Sequence, residues 1–200
     1  MGGVREAQRD ATRRALVARA RTMFAARGYD AVTLAEVVEA AGVTKGALYH
    51  HFAGKQALFT AVLAVAQSDV GEAVRAAAQR CDDPWEGLVA GCHAFLDACA
   101  APDARQVLLV DGPSVVGWDT WRSLDEQGAG HQLRQALADL MERRLMPLQP
   151  LEPLTRALSG AMNELALWSH DVTDGQARQA HDTLDVLLQV VRHRRTEARR

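Results

Sequence analysis

Residues 33–55 read TLAEVVEAAGVTKGALYHHFAGK. Leu34, Val37 and Val38 recur at three- and four-residue spacing, the period of a helix with one buried face. Thr33 offers an N-cap, and Glu36 three residues on completes a capping box. Ala41-Gly42-Val43 is a tight turn in which Gly42 is free to take a positive φ. Thr44 then caps a second short helix, about Lys45 to His51. Its Leu48, and Phe52 beyond it, point back at the helices before. Two helices joined by a glycine-containing turn describe a helix-turn-helix. Both lysines of the protein, Lys45 and Lys55, lie in this stretch.

Helical periodicity continues on both sides. A helix of roughly Arg9–Arg27 precedes the motif, with the apolar stripe Leu16, Ala20, Met23 and Phe24 and Gly28 at its C-terminal cap position. After Gly54 the pattern gives a long helix, about Lys55–Arg80. A second starts at Asp83-Pro84-Trp85-Glu86 and ends near Ala100. A short helix from Pro102 is expected to stop at Asp111-Gly112-Pro113. A longer stretch, about 114–145, is interrupted by QGAGH at 127–131. Past MPLQPLEP (146–153), with its three prolines, two helices end the chain at about 153–169 and 175–194. Thr173 with Gln176 would cap the last one. Strand-type alternation is nearly absent, so the fold class is all-α. A three-helix domain over residues 1–54 is followed by an α-helical body over 55–200.

Composition bounds the partners. The 200 residues carry a net charge of −2, unevenly spread. Residues 1–55 hold nine basic and five acidic side chains, a net +4. Residues 56–191 hold nine against nineteen, a net −10, and residues 192–200 are net +4. A basic front on an acidic body suggests a polyanion partner for the front alone. The tail RHRRTEARR reads as a solvated end. No apolar run approaches the roughly 18 residues that span a bilayer, and the N-terminus has no apolar core of a secretory signal. The expectation is a soluble, cytoplasmic protein without a membrane partner. Three cysteines without a CxxC pair argue against a disulfide framework. Cys92 and Cys99, seven apart, fit small core residues. Cys92 and His93 are neighbours that point apart on a helix, so a metal site with Cys99 is set aside.

The adjacent His50 and His51 look like a chemical site. Neighbours on one helix cannot chelate jointly, and no nucleophile or carboxylate stands at helical spacing from them. His50 shares the exposed face with Ala47, while His51 covers the helix junction. The chemistry that fits is DNA reading. The second helix of such a unit enters the major groove with its N-terminal residues nearest the bases. Here these are Thr44, Lys45, Gly46 and Ala47, small enough for close approach. Tyr49, His50 and Lys55 supply further donors, and Thr33 puts another helix start in reach of phosphate.

At this point a family resemblance is clear. Gly28 to Phe59, GYDAVTLAEVVEAAGVTKGALYHHFAGKQALF, closely resembles the DNA-binding module of the TetR family of bacterial transcriptional regulators. The matching features are the aromatic after the glycine, the Ala-Gly-Val turn, the K-G-x-L-Y-x-x-F core and the following K-x-x-L. The resemblance implies that Lys45, Ala47, Tyr49 and His50 contact bases or phosphates, and that Thr33, Thr44 and Lys55 contact phosphates. It extends, more weakly, to an N-terminal arm with Arg5, Arg9 and Arg13.

In that family the body binds a small effector and pairs two subunits through the last two long helices. Leu158, Met162 and Leu165 with Leu184, Leu187 and Val191 make apolar stripes at heptad-like spacing that fit such a homodimer interface. Candidate pocket residues are Trp85, Phe95, Trp118, Trp121, Met141, Asn163 and Trp168, a set suited to apolar or aromatic ligands. The expected function is a ligand-responsive regulator on a palindromic double-stranded operator. Effector binding would shift the long helix 55–80 and release the DNA. Repression relieved by ligand is the family's usual sign. The alternatives are an enzyme, or a structural DNA-binding protein, using the helix-turn-helix only for assembly or DNA architecture. No G-x-S-x-G, Walker loop, dinucleotide fingerprint or H-E-x-x-H occurs to support catalysis, and no metal or other cofactor is expected.

Overall fold

The computed structural model describes residues 2–169 and 174–193, in which all regular structure is helical. The expected cap at Thr173 and most of the basic tail, 194–200, lie outside the described residues. Eleven α-helices follow in order: α1 (Gly2–Arg27), α2 (Leu34–Ala41), α3 (Lys45–His51), α4 (Lys55–Ala78), α5 (Pro84–Ala100), α6 (Pro102–Arg105), α7 (Gly112–Val116), α8 (Trp118–Asp125), α9 (Ala129–Glu142), α10 (Leu151–Trp168) and α11 (Asp174–His193). A π-helical segment, Gln106–Asp111, joins α6 to α7. The first helix starts seven residues before its sequence estimate.

Helix α4 corrects one expectation. By length and composition it is apolar enough to cross a membrane, although half of its apolar stretch lies inside the protein, as in a core helix.

The chain forms two compact units, Met1–Ala66 with Pro102–Arg122, and Gln67–Ala101 with Ser123–Arg200. This division differs from one at residue 54, because the first part of α4 and the whole segment 102–122 pack with α1–α3. In the first unit Leu16, Ala20 and Phe24 of α1 are fully buried with Leu48 of α3 and Leu58, Phe59, Val62 and Leu63 of α4. Phe24, Tyr29 and Phe59 form an aromatic trio with centroids 5.1–5.7 Å apart.

Segment 102–122 is tied in by specific bonds. Asp111 accepts the Tyr29 backbone N–H at 2.8 Å and the Gln106 amide at 3.0 Å. Gln56 donates to the Val115 carbonyl at 2.7 Å, and Arg21 pairs with Asp103 at 3.3 Å. The helix expected to stop at Asp111-Gly112-Pro113 does not stop there. One π turn widens the coil, and the chain runs on helically into α7, with Pro113 in its first turn. The Leu108 carbonyl accepts from Trp121 Nε1 at 2.7 Å. Gly112 is needed under that indole: an added Cβ would stand 2.9 Å from Trp121 Cδ1 and 3.0 Å from the Val107 carbonyl oxygen. The true break comes at Gly117, at φ 80°.

The second unit packs α5, α9, α10 and α11 with the end of α4. Leu88, Leu96, Leu133, Leu137, Leu158, Met162, Leu184 and Leu188 are buried in it. Asp83 caps α5 by accepting the N–H groups of Trp85 and Glu86, with Pro84 in the first turn. The interruption expected at 127–131 is present, since α9 begins at Ala129.

Candidate nucleic-acid interface and ligand cavity

The helix-turn-helix is built by its caps. Thr33 Oγ1 accepts the Glu36 N–H at 3.3 Å, and Glu36 Oε2 accepts the Thr33 N–H at 2.7 Å, a complete capping box. The Thr33 hydroxyl proton also goes to Glu36, at 2.7 Å. Arg27, at the end of α1, donates to the other Glu36 oxygen at 2.8 Å and to the Ala31 carbonyl. Thr33 first, then Arg27, holds the Glu36 carboxyl down to about 2. Gly42 ends α2 in the left-handed region, φ 64°, its N–H reaching the Glu39 and Val38 carbonyls. Thr44 starts α3 by accepting the Ala47 N–H at 3.1 Å.

These caps leave one face of α3 open. Leu48 is fully buried and Phe52 nearly so, which fixes the rotation of the helix. Thr44, Lys45, Gly46, Tyr49 and His50 are exposed and Ala47 is half-buried. The Lys45 ammonium lies 5.9 Å from the Tyr49 ring. Lys55, at the start of α4, sits 4.2 Å over the Tyr29 ring and donates to the Asp30 carbonyl at 3.4 Å. The two histidines meet edge to face, centroids 5.3 Å apart. His51 is half-buried. Burial, then His50 and the guanidinium groups of Arg9 and Arg13, push its imidazole below the usual value, toward the neutral form. Arg13 lies 5.5 Å over the Phe52 ring. The Arg5 side chain is outside the described residues. The structure thus brings Thr44, Lys45, Gly46, Ala47, Tyr49 and His50 onto one element, with Thr33 and Lys55 on the flanking ones. Sequence reasoning missed Arg27 and Asp111 as supports of this surface. Asp111 is 82 residues from Tyr29, so no local pattern could signal it.

The second unit contains a small cavity of about 50 Å³ between α4, α5, α9 and α10. Gly87, Leu88, Gly91, Cys92 and Phe95 of α5 form one wall. Of the seven expected pocket residues only Phe95 lines it. Trp85 is buried elsewhere, with Arg192 at 4.9 Å over its ring. Met141 is buried outside the wall, Asn163 is half-buried outside it, and Trp168 is exposed. Trp118 and Trp121 belong to the first unit, stacked at 5.0 Å, with Trp118 exposed and Trp121 buried. The wall signal that sequence held was the glycine pair of α5, spaced four apart. Those glycines let α5 approach α4: a Cβ on Gly91 would lie 3.3 Å from Val74 Cγ1. His93 is not among the described residues that line the cavity. Its Nδ1 is 2.6 Å from His181 Nδ1 and its Nε2 is 2.9 Å from Asp185, while His181 Nε2 is 3.1 Å from Asp97.

The six expected interface residues separate. Leu158, Met162 and Leu184 are buried within the subunit and offer no surface to a partner. Leu165, Leu187 and Val191 are half-exposed on α10 and α11. Beside them Trp168 is 45% exposed, and Val186 and Val190 each 63%.

A capped helix-turn-helix, joined to a helical body with a cavity, defines a two-domain DNA-binding regulator. Residues 16–62 match the family described as bacterial regulatory proteins, tetR family, and residues 85–192 match the tetracyclin repressor-like C-terminal domain. The chain belongs to the TetR family of bacterial transcriptional regulators. It is 40% identical over 93 residues to the HTH-type transcriptional repressor Rv1474c of Mycobacterium tuberculosis, a match covering 46% of this chain and 43% of that protein. It is 23% identical over 163 residues to the transposon Tn10 TetC protein of Escherichia coli, covering 82% of each. A TetR-family regulator from Pectobacterium atrosepticum has the same fold, with TM-score 0.78 and 27% identity over 94% of this chain and 97% of that one. By their names, the first of these is a transcriptional repressor and the third a transcriptional regulator.

Proposed function

We propose that the protein is a cytoplasmic, homodimeric repressor that reads a palindromic operator through α3 and leaves it when a small molecule fills the cavity. The observation that carries this is the open face of α3. Its first turn presents Thr44, Lys45, Gly46 and Ala47 with nothing large to hold the backbone off a base edge, on a front end of net charge +4. Lys45, Ala47, Tyr49 and His50 read bases or grip phosphates, and Thr33, Thr44 and Lys55 grip phosphates. Arg9 and Arg13, beside His51, extend the basic face. Residues 1–54 serve DNA reading, and 55–200 serve the effector and the dimer. The half-exposed Leu165, Leu187 and Val191, with Trp168, Val186 and Val190, supply the apolar face that a second copy covers. The buried three of the original set do not.

Selection of genomic fragments bound by the purified protein tests the proposal. It should return an inverted repeat with half-site centres one helical turn apart, or a multiple of it. Enrichment of a single asymmetric site, or of none, would reject the dimeric operator reading.

A further inference from the structure

Two histidines from different helices meet head to head. The pattern H-x-x-x-D occurs on both α5 and α11, as His93 with Asp97 and His181 with Asp185. That spacing puts each histidine one turn from an aspartate on the same face. The histidines approach each other Nδ1 to Nδ1, at 2.6 Å. Each ring then reaches the aspartate of the other helix: His93 Nε2 lies 2.9 Å from Asp185, and His181 Nε2 lies 3.1 Å from Asp97. The ring centres are 4.9 Å apart, with the planes 22° from parallel. That separation is the nitrogen distance plus one imidazole radius at each end. Both Nδ1 atoms therefore sit on the line between the centres and point at each other. A carboxylate only accepts, so each Nε2 carries the proton that it donates, and a neutral ring then has its lone pair on Nδ1. Two lone pairs facing at this distance need a cation between them.

We infer that the pair binds one divalent transition-metal ion of the zinc class, held by Nδ1 of His93 and Nδ1 of His181. Imidazole nitrogen suits such ions, whereas magnesium prefers oxygen ligands. Asp97 and Asp185 are the outer partners that fix the tautomer and the orientation of a metal-bound histidine. Zinc–nitrogen bonds of about 2.0–2.1 Å at a tetrahedral angle put the two nitrogens about 3.3–3.4 Å apart. The rings thus open by less than about 1 Å to admit the ion. Their side chains are 26% and 28% exposed, which leaves them room to turn and gives the ion an approach from solvent. Among the described residues no group of three or more His, Cys, Asp or Glu side chains forms a metal site. Water therefore completes the coordination, as at an open zinc site. Cys92, beside His93 in sequence, takes no part, because it is buried in the cavity wall. The bound ion ties α5, which walls the cavity, to α11.

The test titrates the chelator-treated full chain with zinc ion alone, by calorimetry, with magnesium ion as the control. Nuclear magnetic resonance of the histidine ring nitrogens reports which atoms ligate. Zinc should bind and magnesium should not. Zinc should shift Nδ1 of His93 and of His181 and leave both Nε2 atoms protonated. His93→Gln and His181→Gln, each shown by circular dichroism to fold, should lose this binding. Asp185→Asn should weaken it about ten- to a hundredfold while both rings still ligate. The melting temperature of the parent should rise with zinc, and that of His93→Gln should not. If the glutamine variants do not fold, the ring resonances of the parent decide alone. A chain that binds no zinc leaves the gap to a shared proton and overturns the site. Zinc that binds both glutamine variants as tightly as the parent, or that ligates through Nε2, overturns it too. Unchanged affinity in Asp185→Asn overturns the positioning role of that aspartate.

Discussion

Replacing Trp121 by phenylalanine separates two roles that an aromatic residue in this region could have. Trp121 is 3% exposed, and its indole N–H donates to the Leu108 carbonyl at 2.7 Å inside the π-helical segment. Phenylalanine cannot donate, so a buried carbonyl loses its partner, at a cost of about 1–3 kcal/mol. The smaller ring leaves unfilled space over Gly112, which adds about 1 kcal/mol. The sum, about 2–4 kcal/mol, should lower the melting temperature by roughly 5–15 °C for a chain of this size. Urea unfolding followed by far-ultraviolet circular dichroism measures it without depending on tryptophan emission. Trp118→Phe is the control: that ring is 56% exposed, and its loss should stay within about 0.5 kcal/mol. A Trp121→Phe protein as stable as its parent, but altered in ligand response, would refute the placement of Trp121 as a fold residue of the first unit.

Lys45→Ala should weaken operator binding by about 1–3 kcal/mol without moving the melting temperature, and a gel shift at unchanged affinity would reject Lys45 as a DNA contact. Operator affinity should also fall steeply with salt, and a flat salt series would remove the phosphate contacts from the reading. Glu36 is an acid whose folded value, about 2, lies below its ordinary 4.5, so its contribution is complete above about pH 4.5 and disappears as pH falls through 2. The stability gap between parent and Glu36→Gln should therefore close across that window; a gap constant with pH would show the box to be held by something other than the carboxylate. Leu165→Asp should give monomers on a sizing column, whereas a dimer that persists would move the interface off α10.

The sequence carries the first 55 residues almost completely, and there is a physical reason. Caps, turn glycine and inward leucine act within four residues of one another, so Thr33, Glu36, Gly42, Thr44 and Leu48 announce their roles locally. The segment 102–122 was opaque for the opposite reason. Its Asp111 caps nothing nearby but serves the Tyr29 N–H, and its Pro113 looked like a stop because a π turn has no periodic signature of its own. The apolar stripes of α10 and α11 were legible as stripes. A stripe wider than one contact can face a core and a partner at once, and only packing shows that Leu158, Met162 and Leu184 take the core side.

The tryptophans illustrate the same limit for the cavity. Large aromatics in a helical body suggest a ligand surface, yet none of the four expected Trp side chains lines the cavity: Trp85 and Trp121 are buried elsewhere, and Trp118 and Trp168 are exposed. What shapes a cavity is the reverse, small side chains facing one another, as Gly87 and Gly91 do across from Ala78 and Val74. Charge behaves likewise. Nineteen acidic residues between 56 and 191 make the body acidic, but solvent screens those at the surface and they select no ligand.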